Sequence, residues 1–179
     1  MDDTLISLSQ QTNEELEKYM LQGTAPRLED LIGYEYRGLN KGLVPGMLGI
    51  RKFIKGFFSG GARAEGYNIP VKQNGVSESW IHLPSSEAPR RFGFFTVTLA
   101  SEGGSARDQL YPHGLLLDYG ASLRNKKWKV ERILRDYLVI PDPERPDILL
   151  GKAYIAIGPF RVASNFFILQ RLHSSEWAP

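Results

Sequence analysis

The feature that most constrains this chain is the stretch Ile148 to Leu172, ILLGKAYIAIGPFRVASNFFILQRL. Two long apolar arms flank Gly158-Pro159-Phe160-Arg161. Proline presets a turn dihedral and glycine relaxes a strand end. β-branched and aromatic residues fill both arms, and neither arm keeps an uninterrupted helical stripe. The stretch reads as a β-hairpin that closes a barrel. With Pro159 and Phe160 as the two loop residues, Tyr154 faces Asn165, Lys152 faces Phe167 and Leu150 faces Leu169. Neither side of such a hairpin is clearly wet, as expected of a barrel with a lined interior and a partly covered exterior.

Elsewhere the chain alternates short apolar segments with turn residues. The sequence predicts strands near 31–42, 64–73, 79–83, 91–99, 115–120 and 131–140 before the hairpin at 148–172. About eight strands without long intervening helices point to a mainly β chain of one domain, residues 1–179, folded as an antiparallel up-and-down barrel. A β-sandwich is the competing architecture. Two helices are expected beside it. The first spans 12–22, with Thr12 and Glu15 as a capping box and Gly23 and Pro26 after its end. The second, at 46–58, follows the first strand. Ile50, Phe53, Ile54, Phe57 and Phe58 recur there at helical spacing, with Arg51, Lys52 and Lys55 opposite them.

The first strand carries Gly33-Tyr34-Glu35-Tyr36-Arg37-Gly38. A glycine, then an aromatic residue, then Arg-Gly resembles the opening of the calycins, the lipocalin and fatty-acid-binding-protein group. In these a first-strand Trp meets an Arg of the last strand. Tyr36 stands where that Trp would be, and Arg171 is the structural partner the resemblance implies. It also implies a lid for the helix at 46–58, gating a cavity, with its basic side meeting an anionic ligand or acidic lipid. A helix that merely plugs one end with solvated lysines is the alternative.

Composition narrows the function. The 179 residues carry a net charge of +2, which is no footprint of a nucleic-acid binder. There are no cysteines, so disulfides, thiolate metal sites and a cysteine nucleophile are excluded. An acidic N-terminus without a basic start or apolar core leads us to expect a cytoplasmic chain. No phosphate loop, dinucleotide fingerprint or nucleophile elbow occurs. His82, His113 and His173 lie far apart without ligand-type spacing, and neither metal nor cofactor is expected.

The remaining chemical signal is acid within apolar faces. Asp136 is the polar member of the face Leu134-Asp136-Leu138-Ile140, and Asp118 sits similarly beside Leu116. An ionised carboxylate there needs a partner, with Arg132, Arg135 or Arg161 as candidates, or it titrates abnormally. Two functions follow. One is binding of a small, largely hydrophobic molecule in the barrel, with Tyr36, Phe53, Phe57, Phe94, Tyr119, Asn165 and Phe167 as candidate contacts. The other is a cyclase or isomerase acting on a polyketide- or terpenoid-like substrate, with Asp136, Tyr137 and Tyr154 supplying acid–base help. The orientation of the closing hairpin separates them, and Lys152, Tyr154 and Asn165 are expected to point inward.

Overall fold

A computed structural model of the chain describes residues 4–41, 50–103 and 105–179. Eight strands close into an antiparallel up-and-down barrel in simple sequence order. They are β1 (Tyr34–Asn40), β2 (Lys52–Ser59), β3 (Ala64–Pro70), β4 (Phe92–Leu99), β5 (Leu115–Asp118), β6 (Leu134–Val139), β7 (Ile148–Ile157) and β8 (Phe160–Ser174). β8 returns to pair with β1, so no sheet edge remains open. Three helices precede the barrel: α1 (Thr4–Gln10), α2 (Asn13–Gln22) and the single turn α3 (Leu28–Leu31).

The helix α2 starts as its sequence dictates. Thr12 Oγ1 accepts from the Glu15 backbone N–H at 3.2 Å, and the Thr12 N–H donates to Glu15 Oε2 at 2.7 Å. Leu16 and Met20 then bury against the outer wall of the barrel, joined by Leu5 of α1 and by Leu39, Leu116, Ile148, Leu150, Phe166 and Ile168 of the strands. A second outer patch, around Ile54, Phe58, Tyr67 and Ile69, is covered by Trp80 and Trp177. Much of the wall is therefore apolar on both sides.

The expected helix at 46–58 is not formed where it is described: residues 52–59 are strand β2, and 46–49 lie outside the described residues. The apolar spacing fits both periods. At period two, Phe53, Lys55 and Phe57 face the interior while Ile54 and Phe58 face outward. Aromatic residues and Gly56 favour a paired strand over a helix, where the glycine alone costs about 1 kcal/mol. The segment 79–83 is not a strand. His82 makes one isolated bridge to Val71 within a long connection. Eight strands result because the strand gained at 52–59 replaces the one lost.

The closing hairpin departs from its expected register, by two residues next to the turn and by one beyond a register shift between Ala153 and Tyr154. Ile157 pairs with Phe160, so the turn residues are Gly158 and Pro159. Gly158 adopts φ +53°, and a positive-φ glycine before a proline suits the type II′ turn that matches strand twist. That shift sets Ala153 opposite Asn165 and Gly151 opposite Phe167. Lys152 and Tyr154 point outward, away from Asn165 and Phe167, which corrects the expectation of a shared inner face.

Inside, aromatic rings lie on glycines of neighbouring strands. Gly38 pairs with Phe53, Gly66 with Phe95 and Gly151 with Phe167. A Cβ on Gly151 would stand 2.1 Å from the Phe167 ring, and one on Gly66 would stand 2.3 Å from that of Phe95. Glycine is the residue that admits such an approach. Gly151→Ala should therefore lower stability by about 1–3 kcal/mol, the usual range for overpacking. Urea denaturation of Gly151→Ala and of Gly151→Ala/Phe167→Leu checks this, with the smaller partner expected to recover part of the loss.

Candidate functional site

The interior is lined by Tyr36, Phe53, Phe57, Phe95, Tyr119 and Phe167 with Val97, Leu115, Leu117, Leu138, Leu149 and Leu169. Their rings meet mostly edge to face, with Tyr36–Phe57 at 5.6 Å, Phe57–Phe95 at 5.7 Å and Phe53–Phe167 at 6.0 Å between centroids. At the end bearing the β2–β3, β4–β5 and β6–β7 connections, Leu31 of α3 packs onto this lining. Arg171 lies there too, donating to Tyr36 Oη at 3.3 Å and standing 4.5 Å over the Tyr34 ring. A crevice of about 160 Å³ between Pro26, Asp30, Leu31, Ile140, Pro146 and Arg171 marks this end. It is smaller than the hollow a drug-sized ligand needs.

A polar group of side chains interrupts the aromatic interior. Lys55, on the inner face of β2, reaches across the barrel to Asp136 of β6 at 3.2 Å, with 2% and 7% of their side chains exposed. Its ammonium also donates to Asn68 Oδ1 of β3 at 3.0 Å and to Tyr119 Oη, one residue past β5, at 2.7 Å. All three ammonium protons thus have acceptors. Tyr119 in turn donates to Asp136 Oδ2 at 2.9 Å, and Asn68 Nδ2 donates to the Gly93 carbonyl. The Phe95 ring lies 4.6 Å from Lys55 Nζ and that of Phe167 5.4 Å, within cation–π range.

Burial dominates the electrostatics. Desolvation pulls the Lys55 pKa below its ordinary value, with the Asp136 carboxylate opposing it. Desolvation also drives the Tyr119 phenol well above its ordinary value, and the nearby Asp136 charge adds to the effect. Tyr119 therefore acts as a hydrogen-bond relay between amine and carboxylate and stays protonated.

The barrel wall divides the residues singled out from the sequence. Tyr36, Phe53, Phe57, Tyr119 and Phe167 line the interior together with Asp136. Asn165 bonds Asn40 Oδ1 at 3.0 Å towards the opposite end from α3. Phe94 faces outward, stacked on Trp177 at 6.2 Å. Tyr137 and Tyr154 also face outward. Tyr137 donates to the Asp108 carbonyl, and Tyr154 meets Tyr111 at 3.0 Å beneath α2. Asp136, Tyr137 and Tyr154 do not share a site, because adjacent residues of a strand point to opposite faces. The partner of Asp136 is Lys55 and none of the arginines considered. Arg135 instead bonds Asp118 at 3.1 Å, and Arg161 bonds Asp108 at 2.5 Å.

Lys55 and Asn68 were not singled out from the sequence as site residues. The amphipathic pattern at 46–58 groups Lys55 with Lys52 on a solvated side, yet both are buried, on opposite faces of β2. Lys52 is held outside the barrel by Asn74 Oδ1 and by the carbonyls of Gly75, Glu78 and Ser79, with the Trp80 ring 4.0 Å away. A lysine at period two between Phe53 and Phe57 is the signal that places Lys55 inside. Comparison with protein-family models, curated proteins and solved structures returns no match. Among the described residues no helix is long and apolar enough to cross a membrane.

Breaking the pair from one side should cost far more than removing it. Asp136→Leu leaves a buried amine without its counter-charge and should lose about 3–5 kcal/mol. Lys55→Met/Asp136→Leu, which keeps the interior apolar, should recover most of that loss. Denaturant unfolding of the two variants beside the wild type checks it.

Proposed function

We propose that the barrel binds one small, largely hydrophobic molecule that carries a hydrogen-bond acceptor such as a carbonyl or carboxylate. The observation that carries this reading is the buried polar cluster of Lys55, Asn68, Tyr119 and Asp136 within an aromatic interior. An apolar site with a few convergent polar groups, one of them an amine of lowered pKa, is the composition of small-molecule sites. An eight-stranded barrel has room for its own side chains or for one small ligand. Entry is from the end opposite α3, where the inner-face residues Leu134 and Ile155 are only half-buried and Ala153 and Gly151 leave a notch of small side chains. A ligand oxygen would replace one of the three acceptors of Lys55 as the Phe53 and Phe167 rings move aside.

The same cluster favours one catalytic alternative, a cyclase or isomerase with a polyketide- or terpenoid-like substrate. Its acid–base groups would be Lys55, Asp136 and Tyr119, because Tyr137 and Tyr154 stand outside the wall.

Native mass spectrometry of gently purified chain, followed by titration with the fluorescent apolar anion 1-anilinonaphthalene-8-sulfonate, tests the binding reading. A one-to-one adduct or a saturable fluorescence rise is expected for the wild type. Either should be lost in Ala153→Trp, which fills the notch, and kept in Leu123→Ser at a fully exposed position. Ligand-free masses together with no saturable rise, from a chain with native circular dichroism, would overturn it.

A further inference from the structure

On the outside of the barrel, three residues remote in sequence converge where β1 meets β8. Glu35 of β1 pairs across the closing seam with His173 of β8, and His82 arrives from the connection between β3 and β4. The ligand-type atoms of the three lie within 4.8 Å of one another. Glu35 is 3% exposed, and its two oxygens have separate surroundings. Oε1 accepts from Tyr67 Oη at 2.8 Å and lies 3.8 Å from the Arg91 guanidinium. Oε2 faces both imidazoles, 3.5 Å from His82 Nε2 and 3.6 Å from His173 Nε2.

These separations are long for hydrogen bonds and right for something else. Ligands about 2.1 Å from a tetrahedral zinc ion stand about 3.4 Å apart. The tautomer of His173 agrees. His173 Nδ1 lies 2.9 Å from the Ser174 carbonyl, which can only accept, so Nδ1 carries the proton and the neutral ring turns its Nε2 lone pair towards Glu35. His82 Nε2 is buried and has no hydrogen-bond partner among the described residues. Two imidazole Nε2 atoms and a carboxylate oxygen therefore converge, the one of His173 presenting its lone pair. Tyr67 fixes the carboxylate from behind, as outer groups do in metal sites. Arg91 stays on the Oε1 side, stacked 4.5 Å over the Trp177 ring, and its charge moderates affinity without blocking the approach to Oε2.

We infer that Glu35, His82 and His173 form a binding site for a first-row divalent cation, with Zn²⁺ the best fit. Two imidazoles and one carboxylate exclude the all-oxygen shells preferred by Ca²⁺ and Mg²⁺. Three protein ligands leave a fourth position for water, and the half-exposed side of His173 gives solvent access to it. The ion would tie the β3–β4 connection and the C-terminal end of β8 to β1. It stands on the opposite side of the wall from Lys55 and is independent of what the interior binds.

The test is titration of the metal-stripped full chain with Zn²⁺ by calorimetry, and with Co²⁺ by visible absorption. The wild type should bind one equivalent, gain thermal stability that saturates at one equivalent, and give cobalt ligand-field bands. His173→Ala lies at an exposed position and should keep the fold by circular dichroism, yet weaken Zn²⁺ binding by at least about 100-fold, beyond the usual effect of losing an outer-shell partner. His82→Ala should behave likewise. Zn²⁺ affinity equal in the wild type and in His82→Ala/His173→Ala, or cobalt spectra identical to the aqueous ion, would overturn the assignment and leave the three residues as an imidazole–carboxylate ion pair.

Discussion

An ammonium group held in the middle of a barrel of phenyl rings is the constraint on which the rest of this structure depends. Removing Lys55 from water is costly, and its attraction to Asp136 offsets that cost only because Asn68 and Tyr119 complete its hydrogen bonds. The contacts come from β2, β3, β6 and the end of β5, so they reach across the interior as well as around it. They also fix register. A slip of one residue in β2 would turn Lys55 to the outer wall and leave Asp136 buried alone, and the same slip in β6 would do the converse. Apolar strands buried on both faces specify their register weakly, and one buried ion pair supplies what they lack.

Double-sided burial also explains which parts of the fold were legible in the sequence. The helix α2 could be read because its cap is local: Thr12 and Glu15 stand three residues apart and need no other element. The barrel class could be read from strand spacing, and the meeting of Tyr36 with Arg171 was what the resemblance to the calycins implied. The register of the closing hairpin could not. With Lys152 and Tyr154 covered by Glu17 and Tyr111 on the outside, and Phe167 covered on the inside, both faces look alike. Only the positive φ of Gly158 decides which two residues turn. Residues 52–59 defeated periodicity for a related reason, since their apolar residues satisfy two periods and the choice rests on pairing with β1 and β3.

The candidate site was legible in part for the same physical reason. Asp136 betrayed itself as an acid on an apolar face, and its burial followed. Its partner did not, because a lysine reads as a surface residue until the fold surrounds it. Tyr137 and Tyr154 were grouped with Asp136 by proximity in sequence and by hairpin register, whereas a strand places neighbours on opposite sides of its wall. The outer cluster of Glu35, His82 and His173 leaves no trace in sequence spacing at all. It exists because ring closure sets the first strand beside the last, so one event of topology assembles the aromatic interior and the imidazole–carboxylate cluster on its outer side.

The most direct measurement is a pH titration of the lysine side-chain nitrogens by ¹⁵N nuclear magnetic resonance, with Lys55 assigned from Lys55→Arg. Lys55 Nζ should titrate below the ordinary lysine value of about 10.4, and its protons should exchange slowly with water and show contacts to the Phe95 and Tyr119 rings. A Lys55 signal that titrates at or above the ordinary lysine value and exchanges rapidly with water would contradict a buried ammonium at the centre of the barrel.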